Sequence, residues 1–120
     1  MRLFSCVCVA AFAAFSLASA SADTWSGAYG NTIVSTYSDG RVVKVYVDAD
    51  HTYSIVTANG VVIKGTWVDG SGGSCFTTTS PPPAPDAKPI CFPIKDYKLG
   101  DSFGGADASG SFTGVIQPGR

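Results

Sequence analysis

Beyond its first ~22 residues the chain offers no amphipathic helix. Short β-branched and aromatic runs alternate with clusters of Gly, Pro, Asn and Asp, at the roughly 8–12-residue spacing of an antiparallel all-β domain. The longest segment free of Gly and Pro, 41–59, has the length of a helix. It carries Val42, Val43, Val45, Val47, Ile55 and Val56 in the alternating phase of strands. Strands are expected over 32–37, 41–47, 52–57, 61–67, 75–79, 90–92, 97–103 and 112–117.

The turns set which side chains share a face. A two-residue loop at Asn59-Gly60 would pair Ile55 with Lys64 and mix a charge into an apolar stripe. A three-residue loop, Ala58-Asn59-Gly60, pairs Ile55 with Ile63, Tyr53 with Gly65 and Ser54 with Lys64, which separates the faces. It also lays the Tyr53 ring over a glycine and shields its backbone. The same phase carried backwards puts Val43, Val45 and Val47 inside with Tyr53. It makes 48–52 a three-residue turn with His51 in the left-handed conformation. Asp39-Gly40 is a third hairpin signal whose loop could hold two or three residues, which leaves the register of 32–37 open. Asp69-Gly70 repeats the same signal. Gly104-Gly105 and Ala108-Ser109-Gly110 are read as bracketing a flexible connection before the last strand.

About eight such runs joined by short turns suit a small antiparallel meander that closes into a barrel, with a small β-sandwich as the alternative. Residues 1–22 read as a signal peptide: Arg2 opens a short apolar run that ends in the small residues Ala18-Ser19-Ala20 or Ala20-Ser21-Ala22. No cysteine stands at the cleavage region to take a lipid, so the expected product is one exported domain, 23–120, periplasmic or extracellular and without membrane insertion. Cys6 and Cys8 leave with the leader, so Cys75 and Cys91 have only each other to pair with in an oxidising compartment. Eight Lys+Arg stand against nine Asp+Glu, all nine of them Asp. That balance gives nothing to attract nucleic acid.

A Tyr29-Gly30-Asn31-Thr32 start, the Asp39-Gly40 hairpin, Asp50-His51-Thr52-Tyr53, Gly65-Thr66-Trp67, Cys75-Phe76, Cys91-Phe92 and Leu99-Gly100-Asp101 together resemble a family of small exported bacterial β domains of unknown function. The resemblance implies a secreted or envelope β domain with no catalytic residues to carry over. It also sets Asp-Gly-Thr-Tyr where this chain has His51, a residue that tolerates positive φ. Lipocalins share a Gly-x-Trp, but on their first strand, whereas Gly65-Thr66-Trp67 lies mid-chain.

His51 with Asp48 and Asp50 is the one cluster that could hold a cation or move a proton. It lacks the Gly and the distal acid of a calcium loop, so a solvated turn is the simpler reading. No serine stands in a nucleophile motif, which leaves hydrolysis a minor reading, and no cofactor or metal site is expected. Pro81, Pro82, Pro83 and Pro85, within the Cys75–Cys91 loop, suit a stiff extended path that could face a protein partner. The same prolines could serve only to stiffen a long loop. Tyr53 and Trp67 are the candidates to line a ligand cavity, although a small domain needs most of its aromatics as core. Tyr46 and Tyr37 are expected to look outward.

The expected function is a non-catalytic binding or structural module, monomeric, meeting a protein partner through the proline loop. The alternatives are a small-ligand-binding barrel, a small exported protease inhibitor and, last, a hydrolase. A partner module calls for no internal cavity. A ligand carrier calls for an apolar cavity beside Tyr53 and Trp67, and an enzyme for His51 in a cleft next to a Ser or Asp.

Overall fold

A computed structural model describes residues 23–120. The expected signal peptide, 1–22, lies outside the described residues. Eight strands follow a single 3-10 turn at Ser26–Ala28: β1 Thr32–Tyr37, β2 Val42–Val47, β3 Thr52–Val56, β4 Val62–Gly70, β5 Gly73–Ser80, β6 Ile90–Phe92, β7 Ser102–Asp107 and β8 Gly110–Gln117. They form one antiparallel sheet in the order β6-β5-β4-β3-β2-β1-β8-β7, curled into a nearly closed barrel. Among the described residues no helix is long and apolar enough to cross a membrane.

Three successive hairpins use one turn. Tyr37 and Arg41, Asp48 and Thr52, and Thr57 and Val61 each flank a three-residue loop closed by backbone hydrogen bonds. The third loop residue is left-handed in each: Gly40 at φ 93°, His51 at 69° and Gly60 at 89°. Only a residue that tolerates positive φ closes such a loop without strain, which is why Gly or His stands there. The resulting register pairs Val47 with Tyr53, Tyr53 with Gly65 and Ile55 with Ile63, as the facing argument requires. The Asp39-Gly40 loop therefore holds three residues, Ser35 faces Val43, and β1 sends Ile33, Ser35 and Tyr37 inward. Tyr37 thus departs from the outward orientation expected of it. Tyr46 does point out, half-buried, with the Arg120 guanidinium 5.2 Å from its ring centre.

The last third departs further. Residues 97–101 form no strand, because Tyr97 is drawn onto Trp25, its ring stacked at 4.2 Å and its N–H bonded to the Thr24 carbonyl. Gly104-Gly105 lies inside β7, and Ala108-Ser109 is a tight turn into β8. These glycines serve close approach. Phe103 pairs across strands with Gly114, and Phe112 with Gly105. A Cβ at position 105 would stand 2.6 Å from Phe112 Cζ and 2.8 Å from Phe92 Cε1. The Tyr53–Gly65 arrangement therefore occurs three times, each ring covering the backbone of a bare glycine. The Asp69-Gly70 signal also shifts: Gly70 pairs with Gly73, and the turn is Ser71-Gly72.

β6 and β7 are the sheet's two edges, and side chains close the gap between them. Phe92 meets Phe103 at 5.6 Å, edge to face, and Trp25 packs in the same way on Phe76, Phe92 and Phe103. The Trp25 indole N–H donates to the fully buried Ser74 hydroxyl at 2.7 Å. On the outer face Cys75 and Cys91, directly paired across β5 and β6, form the disulfide, with Cα atoms 4.0 Å apart. This bridge holds the three-residue strand β6, and with it Phe92, against the wall.

Replacing both Cys75 and Cys91 by Ser is expected to lower unfolding stability by about 3 kcal/mol, the entropy of the freed loop. Urea denaturation with and without reductant measures it. Gly105→Ala is expected to cost about 1–3 kcal/mol, because neither packed ring can give way; an unchanged midpoint would contradict the packing of Phe92 and Phe112 over this glycine.

Candidate functional site

The strand directions give the barrel two unlike ends. One end gathers the turns at 49–51 and 71–72, the 93–101 segment and the Trp25 segment. There Trp25, Trp67 and Tyr97 are each 1% exposed. Thr24 Oγ1 donates to Asp69 at 2.6 Å, and Arg120 donates to Asp48 Oδ1 and to the Val47 carbonyl, so the segments before β1 and after β8 are both tied across this floor. The other end gathers the turns at 38–40, 58–60 and 108–109 and the proline loop.

Between the two lies a cavity of about 240 Å³. Aliphatic side chains form its walls, among them Ile33, Val43, Val45, Ile55 and Ile63. Trp25, Phe76, Phe92 and Phe103 face it from below. The space exists because the β-branched residues of β2 to β4 are too short to reach across a barrel whose rings are gathered at one end. Four hydroxyl residues, Ser35, Tyr53, Thr57 and Thr78, interrupt the apolar wall, and Tyr37, Arg41, Asp107 and Ser109 ring the open end.

The rim is a strap between two hairpins. Tyr37 donates its phenolic O–H to Asp107 Oδ2 at 2.7 Å, and the Arg41 guanidinium lies 4.4 Å over the Tyr37 ring. Arg41 also donates to Asp39 Oδ2 at 2.7 Å and to the Ser109 carbonyl at 3.1 Å. Its hydrogen bond holds the Asp39 carboxyl below the usual range. Burial, then the bond and charge of Asp107, pushes the Tyr37 phenol far above the ordinary tyrosine value. A second depression of about 290 Å³ is bordered by Pro81, Pro82 and Pro83 and shares Ile63, Phe76, Thr78 and Ile90 with the cavity, so the proline loop forms an outer lip.

Of the expected cavity residues, Tyr53 lines the space, its hydroxyl 3.1 Å from Thr78 Oγ1. Trp67 is absent from the lining. It packs at the closed end, its ring stacked 4.2 Å from His51 and its indole N–H donated to the Asp48 carbonyl. The opening accordingly lies at the opposite end from Trp67. Pro81, Pro82, Pro83 and Pro85 are all exposed. His51 Nδ1 donates to the Trp67 carbonyl at 3.1 Å, while Asp50 accepts from the Thr52 amide and hydroxyl. Asp48 faces Arg120, so the cluster is spent on its turn. Among the described residues no three His, Cys, Asp or Glu side chains gather where they could hold a metal ion. Ser35, Arg41 and Asp107 carry no sequence motif that marks them as site residues, and Tyr37, expected to look outward, joins them at the cavity. A three-residue loop at Asp39-Gly40, the turn already argued for its two neighbours, would have turned Ser35 and Tyr37 inward.

The phenols of Tyr29, Tyr37, Tyr53 and Tyr97 all lie above the ordinary value of 10, chiefly through burial, Tyr29 pushed up to about 12. A phenol that holds its proton more tightly when folded stabilises the fold fully below pH 10, and that contribution is lost as pH rises through the folded value. Stability should therefore fall from about pH 10 upward. Tyr37→Phe, at a half-exposed site, should cost about 1 kcal/mol near pH 8 and then lose less between about pH 10 and 12. Denaturant melts across this range check both, and parallel pH curves for the two proteins would contradict the Tyr37–Asp107 bond.

Comparison with known proteins finds no family model that matches the chain, and no curated protein or solved structure significantly similar to it. The resemblance to exported bacterial β domains rests on the turn, cysteine and aromatic residues alone.

Proposed function

We propose that the protein is an exported, non-catalytic barrel that binds a small apolar molecule in its interior. The cavity supports this reading: about 240 Å³ of mainly apolar space, sealed below by aromatic rings and open at a polar rim. Its volume lies between the ~150 Å³ apolar cavity that admits benzene and the ~300 Å³ lower bound of drug-sized pockets, so the ligand is about one substituted ring or a short acyl chain. Interiors are normally close-packed, and a small domain has little stability to spare on an unfilled space. Export rests on the leader-like residues 1–22, and the Cys75–Cys91 disulfide is consistent with an oxidising compartment.

Trp25 faces the cavity, so its emission reports occupancy. Titration with ethylbenzene should give a saturable change. Val45→Phe, which fills the space from the wall, should weaken that binding at least ~10-fold while leaving the fold intact. Binding unaffected by Val45→Phe would place the ligand elsewhere.

A second reading, a protein partner docked on the proline loop, is favoured by the exposure of every residue from 81 to 89. Removing 81–85 should then abolish capture of the partner from envelope proteins and spare ethylbenzene binding. Capture that survives the deletion would end that reading.

A further inference from the structure

We propose that the cavity selects a neutral molecule carrying one hydroxyl or carbonyl group on an apolar body, and that Ser35 meets that group. The inference rests on the cavity reading above. Ser35 is 4% exposed, stands on the inward side of β1 and lines the cavity. The neighbouring interior hydroxyls are matched: Thr57 donates to Asn59 Oδ1 at 2.6 Å, Tyr53 and Thr78 bond each other, and Ser74 accepts from Trp25. The Ser35 hydroxyl has no hydrogen-bond partner among the described residues. A buried hydroxyl offers one proton and two lone pairs, and water or a ligand must answer them.

The cavity's charges exclude an ionic head group. Among the described residues its only charged lining residues, Arg41 and Asp107, stand at the rim, the first bonded to Asp39 and Ser109 and the second to Tyr37. A carboxylate or ammonium drawn down to Ser35 would sit among Ile33, Val43 and Val45 with no counter-charge beside it, which burial penalises heavily. A hydroxyl or carbonyl needs only a hydrogen bond. Ser35 can donate to either.

Ethylbenzene, 1-phenylethanol and acetophenone share one carbon skeleton and differ only in the polar group; phenylacetate is a charged counterpart. Calorimetric affinities for all four are compared between the wild-type protein and Ser35→Ala. The alanine variant removes an unmatched buried hydroxyl and should fold at least as well, and Ser35→Cys keeps the volume as a second variant. The alcohol and the ketone should lose roughly five- to tenfold in affinity in either variant. Ethylbenzene should lose nothing, and phenylacetate should bind at least ~10-fold more weakly than acetophenone throughout. Thr36→Ala, on the exposed face of the same strand, should change none of these values. Equal effects on all the neutral probes, or no effect, would mean that Ser35 is answered by water and would overturn the selection while leaving the cavity reading standing. Failure of all four probes to bind the wild-type protein would overturn both.

Discussion

The gap between β6 and β7 is the constraint on which the rest of the molecule depends. An eight-stranded sheet that does not complete its backbone ladder has two edges, and edges left apart would expose the interior. Here Trp25, Phe92 and Phe103 fill the gap from within, and the Cys75–Cys91 bridge pins the shorter edge strand from outside. The Trp25 indole is held by Tyr97 stacked on one face and by the Ser74 hydroxyl at its nitrogen. The segment before β1 is therefore a working part of the barrel wall.

Gathering the rings at the closed end leaves the other half to smaller side chains. Val43, Val45, Ile55 and Ile63 coat that half without filling it, and the rim residues Tyr37, Arg41 and Asp107 bind two hairpins together rather than reaching inward. Shape and chemistry thus divide along the barrel axis: a packed aromatic floor, an apolar middle with a few hydroxyls, and a charged lip. Below the lip, hydrogen-bonding groups face the space only in the middle, where Ser35, Tyr53, Thr57 and Thr78 interrupt the apolar wall.

Where local physics decides the structure, the sequence was legible. The positive-φ residues His51 and Gly60 close three-residue loops, and those loops set the pairing of Val47 with Tyr53, of Tyr53 with Gly65 and of Ile55 with Ile63. The cysteine pair follows from the reading of residues 1–22 as a leader, which takes Cys6 and Cys8 away and leaves Cys75 and Cys91 to each other. The last third was harder, because its glycines answer to rings far away in sequence: Gly105 makes room for Phe92 as well as Phe112, a contact that no local pattern announces. Trp67 reads as a cavity residue from its phase alone. Its place at the closed end depends on how far along the barrel axis β4 carries it, and on a stack with His51 across the turn. Ser35 was hidden for a related reason, since its inward direction follows from a turn whose length the residues left open.

Inward methyl groups of the barrel surround the accessible interior space, and methyl NMR reads that directly. Titration with ethylbenzene should shift the methyl resonances of Ile33, Val43, Val45, Ile55 and Ile63 together and saturably. Those of Val42, Val62 and Val68, exposed on the outer wall, should stay in place. Shifts concentrated on the outer valines, or an interior set that never moves, would contradict that arrangement.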